Sequence, residues 1–314
     1  PQSAGVSMLP PFQGGIAGLL GYELGRCFEQ IPAAGTNEFQ LPVLAAGLYD
    51  WVIAWDHRLK RAWLISNGWP ETDPERQRVR AGERAKLVLG LLSGRKSKRQ
   101  VGETLSATMP LAPQFPISGP QGLTSNFSRE SYLSAVKKVI EYIRAGDIFQ
   151  ANLTQRLLFP TSVDSTSLLE QLRKVNPAPF AGLMRWDDWA VISASPERFL
   201  RLDADEVETR PIKGTRRRKQ GPEADLFTRD ELRESEKDQA ENVMIVDLLR
   251  NDLSRVCGPG TLRVPQLCGV ESYETVQHLV SEVRGRLRSG KTIWDLFRAT
   301  FPGGSITGAP KVRA

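Results

Sequence analysis

The sequence predicts an α+β fold, because helical and strand patterns mix along its 314 residues without a strict β-α-β alternation. Two segments, 128–146 and 237–251, carry apolar residues at helical spacing. Several short stretches are apolar or alternate in polarity, as strands do. We therefore expect mixed or antiparallel sheets with flanking helices rather than a doubly wound parallel sheet.

Composition divides the chain into three regions. Residues 1–92 contain short apolar stretches with glycine turns, and residues 47–56 resemble a strand. Residues 93–128 are first basic and then rich in proline, glycine and serine, which predicts a linker or a long surface loop. Residues 129–314 contain the chemically distinctive motifs and are expected to form the functional region.

The first helix has recognisable ends. Ser128 is placed to cap it and Gly146 to end it. Its apolar residues share one face: Tyr132, Val136, Val139, Ile140 and Ile143. The second helix is expected at 237–251, and strands are expected at 147–159, 189–202 and 273–283.

The composition is that of an ordinary soluble globular protein, with 40% hydrophobic and 25% charged residues. No apolar run approaches membrane-spanning length and no signal segment opens the chain, so we expect no membrane partner. The 3 cysteines, Cys27, Cys257 and Cys268, lack CxxC spacing. That favours reduced thiols in the cytoplasm over disulfides or a zinc site.

The net charge of +6 raises the possibility of a nucleic-acid partner. The excess lies in clusters at 95–99 and 216–219, which lack the interleaved aromatic residues of a stacking surface. An anionic small substrate explains the second cluster at least as well, and we expect no nucleic-acid binding.

Both ends suggest a piece of a longer protein. The chain begins at Pro1 without an initiator methionine. Residues 311–314 resemble the first turn of a helix after Pro310. We therefore expect a fragment.

Lys213 is the most informative residue. It lies among four arginines, Arg210, Arg216, Arg217 and Arg218, and such a field disfavours protonation of an amine. Pro211 and Gly214 flank it, which favours a defined backbone and a close ligand approach. A nucleophilic amine is one interpretation, and a basic surface turn is the other.

Two carboxylates are candidates for chemistry. Glu197 follows Pro196 at the end of an apolar strand, where burial would raise its pKa towards general-acid range. The alternative is a salt bridge to Arg198 or Arg201. Glu241 is expected on the buried face of the second helix and needs a cation there, which could be an arginine, a lysine or a metal such as Mg²⁺.

Two further features are weaker signals. His278 lies in an alternating strand-like run, where a histidine is commonly only a hydrogen-bonded core or surface residue. The glycine-rich segment 301–310 combines small residues and hydroxyls before an expected helix N-terminus, which suits a carboxylate. It could equally be a turn required by packing.

Together these segments resemble the chorismate-utilising enzymes, and within them component I of aminodeoxychorismate synthase. The similar segments cover essentially the whole chain: 146–156, 176–180, 195–197, 211–215, 237–242, 247–252 and 302–311. The resemblance implies the fold of anthranilate synthase component I, in which mixed or antiparallel sheets form a sandwich with flanking helices.

Two positions separate the branches of that family. Anthranilate synthases are expected to have alanine at the position of Lys213, and isochorismate synthases a water-activating lysine at the position of Gln150. The pair found here is similar to the aminodeoxychorismate synthase branch.

The resemblance implies conversion of chorismate and ammonia to 4-amino-4-deoxychorismate, a precursor of 4-aminobenzoate and folate. Lys213 would attack ring carbon C2, Glu197 would act as acid and then as base, and His278 would orient the substrate. Mg²⁺, held partly by Glu241, would bind a chorismate carboxylate. The implied substrate contacts are Gly214, Thr215, Ser305, Thr307, Gly308 and Ala309.

The family also implies partners and rivals. A glutamine amidotransferase subunit would supply ammonia, and tryptophan would bind near Pro179, Phe180 and Ala181. The family continues beyond Ala314, with a second metal-binding glutamate, so this piece alone is expected to be inactive. The alternatives are anthranilate synthase component I and a non-catalytic paralogue that binds chorismate or tryptophan.

Overall fold

The computed structural model describes residue 6, residues 8–94 and residues 111–314. The chain forms two compact units. The first comprises residues 1–21 and 41–107, and the second comprises residues 22–40 and 108–314. Segment 22–40 therefore belongs with the C-terminal part of the chain rather than with its sequence neighbours.

The described residues of the first unit form two antiparallel strand pairs and one helix. Its elements are β1 (Gly15–Leu20), β2 (Leu44–Tyr49), β3 (Trp51–Asp56), β4 (Arg61–Ser66) and α1 (Pro74–Leu92). The strand predicted at 47–56 is interrupted at Asp50, because β2 pairs with β1 whereas β3 pairs with β4. The Asp50 carboxylate binds Arg80 and Arg84 of α1 at 3.4 and 3.0 Å.

The second unit contains the remaining elements. Those before the largest sheet are β5 (Phe115–Pro116), β6 (Thr124–Ser125), α2 (Arg129–Arg144), β7 (Gln150–Ala151), β8 (Leu157–Leu158), α3 (Ser165–Val175), β9 (Phe180–Arg185) and β10 (Ala190–Ser195). Then come β11 (Arg201–Asp203), β12 (Glu206–Thr209), β13 (Ile212–Arg217), α4 (Pro222–Glu234), α5 (Glu236–Ser254), β14 (Arg263–Ser272), β15 (Val276–Arg286), α6 (Ile293–Thr300) and β16 (Gly308–Ala309).

The largest sheet of the described residues has the order β11-β12-β15-β13, and β14 also pairs with β15. All of its pairings are antiparallel, which confirms the α+β class. The main apolar cluster joins the sheet to α5 and α6 through Val207, Val246, Leu253, Val283 and Leu296. Strand β15 is therefore the buried centre on which the second unit is built.

The predicted helix after Ser128 is confirmed. The Ser128 hydroxyl accepts a hydrogen bond from the Ser131 N–H at 3.1 Å, which satisfies a free donor of the first turn of α2. Gly146 follows the C-terminus of α2 with φ +78°, a conformation that favours glycine. The second predicted helix is α5, which begins and ends within three residues of the expected bounds.

The region predicted to be a linker or a long surface loop includes two short strands in its described part. Strands β5 and β6 pair with each other, and β6 pairs with β8. The side chain of Glu38 accepts the Ala112 N–H at 3.3 Å, so the segment is fixed at a second point. The basic cluster at 95–99 lies outside the described residues.

Among the helices that the structure describes, none combines the length and apolar character needed to span a membrane. Cys27 is exposed, Cys268 is half-buried and Cys257 is buried, and all three thiols are free.

Candidate functional site

Glu197 lies on a short turn that follows β10. The Glu197 N–H donates to the Ser195 hydroxyl at 3.3 Å, and that hydroxyl donates to the Glu197 carbonyl oxygen at 3.1 Å. The carboxylate accepts the Ile212 N–H of β13 at 3.3 Å. Arg198 and Arg201 pair with Glu208 and Asp203 instead, so neither arginine forms the salt bridge considered as the alternative.

Burial raises the pKa of the Glu197 carboxyl. The Ser305 hydroxyl, the hydrogen bond from the Ile212 N–H and the charge of Lys213 act in the opposite direction. The site therefore brings together a carboxyl that retains its proton to higher pH, a hydroxyl and an amine.

Lys213 lies within β13 rather than in a surface turn. Its Cα is opposite Leu279 of β15, and the register shifts before Thr215, which is opposite His278. Gly214 forms this bulge with φ +76°. A Cβ at Gly214 would come within 2.9 Å of side-chain atoms of Asp238 and Leu232, so only glycine fits.

Three of the four arginines close to Lys213 in the sequence pair with carboxylates. Arg210 pairs with Glu271 and Glu282. Arg216 pairs with Glu231 and Asp238, each at 3.0 Å, and Arg218 pairs with Asp225 at 2.8 Å. Since these carboxylates compensate most of the arginine charge locally, the feature that distinguishes Lys213 is its nearness to Glu197.

His278 is buried, with 7% of its surface exposed. Its Nδ1 lies 2.9 Å from the Thr215 Oγ1, and the Tyr273 ring packs edge-on against it at 5.4 Å. Burial lowers the pKa of His278, although the charge of Glu271 opposes the shift. The imidazole is therefore neutral near pH 7 and fixed by a hydroxyl on one side.

Glu241 does not point into the core. The buried stripe of α5 consists of Asn242, Ile245, Val246, Leu249, Asp252 and Leu253. Glu241 lies at its margin with 40% of the side chain exposed, and its nearest cation is Lys237, one turn earlier, at 3.9 Å. The sequence-based placement on the buried face was wrong because the stripe is rotated by one position.

The donor set near Glu241 fits a magnesium ion only in part. A loosely paired carboxylate can bind a hard cation, and Mg²⁺ commonly uses one or two carboxylates together with substrate oxygens and water. Within residues 8–94 and 111–314, no three His, Cys, Asp or Glu side chains form a metal-binding group. Within these described residues, Glu241 is therefore not part of a complete magnesium site.

A cleft of about 390 Å³ places Glu197 opposite the glycine-rich segment. Gly304 approaches α5 so closely that a Cβ would lie 2.7 Å from the Leu248 side chain. The cleft is lined by Ser195, Pro196, Glu197, Phe199, Thr209, Leu249, Phe301, Gly303, Gly304, Ser305 and Ile306.

The predicted contacts of the glycine-rich segment divide into two groups. Ser305 lines the cleft. The Thr307 hydroxyl instead donates to the Gly303 carbonyl oxygen at 3.2 Å, within the segment itself. Gly308 and Ala309 form β16 and pair with β7, where a Cβ on Gly308 would lie 2.3 Å from the Gln150 carbonyl oxygen. These three residues shape the loop rather than line the cleft.

Gln150, the predicted branch residue, holds a buried Oε1 that has no hydrogen-bond partner within the described part of the chain. Two of the residues predicted to bind tryptophan, Pro179 and Phe180, line another cavity of about 210 Å³ together with Pro196 and others. Ala181 instead pairs with Ala194 in the β9–β10 ladder. Pro196 contributes to both cavities.

Sequence reasoning missed the ion pair between Asp252 and Lys311. The available signal was the position of Asp252 on the buried stripe of α5, three residues after Leu249, where a carboxylate needs a cation. Its partner is distant in the sequence, so the pattern alone could not identify it.

Comparisons with known proteins match this architecture. A family model described as chorismate binding enzyme matches residues 2–314. Aminodeoxychorismate synthase component 1 of Klebsiella aerogenes is 42% identical over 304 residues, covering 97% of this chain and 61% of the relative. Anthranilate synthase component 1 of Thermus thermophilus is 39% identical over 306 residues, covering 98% of this chain and 62% of the relative.

The fold has a solved counterpart. The crystal structure of anthranilate synthase component I from Streptococcus pneumoniae superposes with a TM-score of 0.80 at 27% identity, covering 99% of this chain and 66% of that one. The chain spans about 61% of the length of the curated relatives that it matches. Together with the family match over nearly all its residues, these similarities show that the chain belongs to the chorismate binding enzyme family.

Proposed function

We propose that the protein containing this chain is an aminodeoxychorismate synthase component, which converts chorismate and ammonia to 4-amino-4-deoxychorismate. The observation that carries this proposal is Lys213 on β13, near enough to the half-buried Glu197 carboxyl for its charge to lower that pKa. Overall identity favours neither branch, since both kinds of relative lie near 40%. The amine of Lys213 beside Glu197 favours the aminodeoxychorismate synthase branch.

Glu197 acts first as an acid and then as a base. Because burial raises its pKa, the carboxyl can protonate the C4 hydroxyl, which leaves as water. The Lys213 amine forms a bond to C2 as that hydroxyl departs. Ammonia then bonds to C4, the bond between C2 and Lys213 breaks, and the Glu197 carboxylate takes a proton from the added nitrogen.

His278 positions the substrate. Its Nδ1 is engaged by Thr215 at 2.9 Å, which leaves Nε2 for a polar substituent of the ring. Because burial lowers its pKa, the imidazole does not bring a positive charge near Lys213 at neutral pH.

Glu241 is the residue that we propose to hold Mg²⁺. When bound, the ion would neutralise the negative charge of a chorismate carboxylate. The partial exposure of Glu241 and its long contact with Lys237 support this role, because the carboxylate can reorient at little cost.

The remaining assignments follow the relatives. Their designation as component 1 supports a partner subunit, and we propose a glutamine amidotransferase that supplies ammonia. The cavity beside Pro179 and Phe180 supports a small bound ligand, for which we propose tryptophan. The free thiols support a cytoplasmic location.

Product analysis with Lys213→Ala tests the proposal. The full-length gene product, supplied with chorismate, ammonium and Mg²⁺, should form 4-amino-4-deoxychorismate, and mass spectrometry without ammonia should show an adduct on Lys213. The alanine variant should lose the adduct and the amination. Arg217→Ala on the same strand is the matched control and should retain both, because Arg217 is exposed.

Other outcomes identify the alternatives. Anthranilate with release of pyruvate would assign the protein to the anthranilate synthase branch. Tight chorismate binding without turnover would indicate a non-catalytic paralogue. Full amination by Lys213→Ala would refute the nucleophilic role.

A further inference from the structure

Lys311 joins the two ends of the glycine-rich segment 301–310. It lies immediately after the segment, and its ammonium donates to the Thr300 carbonyl oxygen, immediately before the segment, at 2.8 Å. The same ammonium binds the Asp252 carboxylate of α5. One side chain therefore closes the loop on itself and fixes it to the helix.

The contact with Asp252 is buried. Only 2% of the Asp252 side chain and 13% of the Lys311 side chain are exposed. Burial raises the pKa of Asp252, and the charge of Lys311 opposes that shift, with a smaller effect from Arg255. Buried ion pairs often add little net stability relative to apolar residues of similar size. A role in geometry explains the pair better than a role in stability.

The segment that Lys311 closes carries one wall of the cleft. Gly303, Gly304 and Ser305 line it, and Gly304 lies directly against Leu248 of α5. Ser305 and Glu197 line the same cleft, and the Ser305 hydroxyl lowers the pKa of that carboxyl. A shift of the segment relative to α5 would therefore move Ser305 relative to the acid.

We propose that Lys311 is a positioning residue, which through Asp252 and Thr300 holds Ser305 against the Glu197 carboxyl during proton transfer. This inference rests on the proposed acid role of Glu197. It extends that role by assigning a function to the charges of Asp252 and Lys311, which do not contact the reacting atoms.

The test uses the full-length gene product with three variants. Asp252→Leu/Lys311→Met replaces the pair with apolar residues, so that no unpaired charge stays buried. Lys311→Arg retains the positive charge and the donors. Ser305→Ala removes the hydroxyl that the clamp is proposed to position.

The double variant should keep its thermal unfolding midpoint and a KM for chorismate within about twofold, while kcat falls about tenfold, as expected for one misplaced hydrogen bond. The alkaline limb of its pH profile should move to higher pH, as in Ser305→Ala, because the Ser305 hydroxyl no longer lowers the pKa of the Glu197 carboxyl. Lys213 and the Ile212 N–H, the other groups facing Glu197, remain unchanged. Lys311→Arg should recover most of kcat.

A mutant cycle that combines Asp252→Leu/Lys311→Met with Ser305→Ala separates a positioning role from general destabilisation. If the clamp acts through Ser305, combining the substitutions should cost little more than either alone. Fully multiplicative losses, or an unchanged kcat and pH limb in the double variant, would overturn the proposal.

Hydrogen exchange provides a readout that needs no turnover. Amides of residues 303–309 should exchange faster in the double variant, and unchanged exchange there would refute the clamp whatever the product. If the protein forms anthranilate, the proposed function fails, but the same kcat ratios measured on that product still decide the role of Lys311.

Discussion

Glu197 is half-buried and Asp252 is buried; burial raises the pKa of both carboxyls, but their neighbours differ. Asp252 is in direct contact with the Lys311 ammonium, which suits a structural clamp. Glu197 receives a backbone N–H and a hydroxyl, with Lys213 acting through its charge. Glu197 is therefore able to exchange a proton, and single substitutions can test this difference.

Glu197→Gln should lower kcat by about 10²–10⁴-fold, because the amide cannot transfer a proton. Steady-state rates on chorismate and ammonium check this. Glu223→Gln is the matched control, since Glu223 is exposed on α4 and should leave the rate unchanged. Equal rates for both variants would exclude the acid role.

The same substitution should change stability with a defined pH dependence. A raised pKa means that the folded protein holds the Glu197 proton more tightly than the unfolded chain does, so stability falls as pH rises from the unfolded pKa through the folded pKa. Glu197→Gln should therefore resist urea better than the unsubstituted protein at pH 7. The advantage should disappear near pH 4 and below, where the unfolded carboxyl is also protonated.

Glu241→Gln should raise the Mg²⁺ concentration for half-maximal activity by at least about tenfold, because an amide is a weaker ligand than a carboxylate. Asp247→Asn on the same helix is the control, since Asp247 is exposed and paired with Arg250. A magnesium titration of both variants decides the matter. An unchanged requirement in Glu241→Gln would remove Glu241 from the metal site.

At the scale of elements, local sequence signals predicted the ends of a helix well, but the sequence did not predict which strands pair or which helix face is buried. Ser128 and Gly146 fix the ends of α2 by hydrogen bonding and backbone conformation, which depend on adjacent residues only. The break at Asp50 arises from pairing with two different strands, and the one-position rotation of the α5 stripe arises from packing on β15. Neither cause is local, so neither was visible in the pattern.

The Gly214 bulge gives a prediction at this scale. Gly214→Ala should lower the free energy of unfolding by about 1–3 kcal/mol more than Gly146→Ala. Both glycines have nearly the same positive φ, +76° and +78°, but a Cβ at Gly146 meets no atom within 4 Å. The difference in urea denaturation therefore isolates the clash with Asp238 and Leu232, and equal losses would contradict it.

At the scale of the whole chain, the sequence identified the candidate residues better than their surroundings. It grouped Glu197, Lys213 and Ser305 through a family resemblance, and the second unit brings these three together. It did not reveal the partners of the arginines, because those carboxylates come from α4, α5, β14 and β15. Charge compensation depends on tertiary contacts, which composition does not reveal.

The inclusion of segment 22–40 in the second unit can also be tested. Glu38 pairs with Arg156, and hydrogen bonding to its own backbone N–H and to Arg156 lowers its pKa. Its contribution to stability should be present above the unfolded pKa and lost as pH falls through the folded pKa. Glu38→Gln should therefore lower the melting temperature at pH 7 but not near pH 2, whereas Glu23→Gln, at an exposed position, should have no effect at either pH.

The bulge between Lys213 and Thr215 also determines whether β13 can lose one residue without a change in its pairing with β15. One extra residue in a strand ordinarily sends every later side chain to the opposite face of the sheet. Here the ladder accommodates Gly214 as a one-residue insertion, and the pairs on both sides of it would stay unchanged without it. A relative that lacks this glycine could therefore keep every residue of β13 opposite the same residue of β15. The backbone between the lysine and the threonine would then be straight.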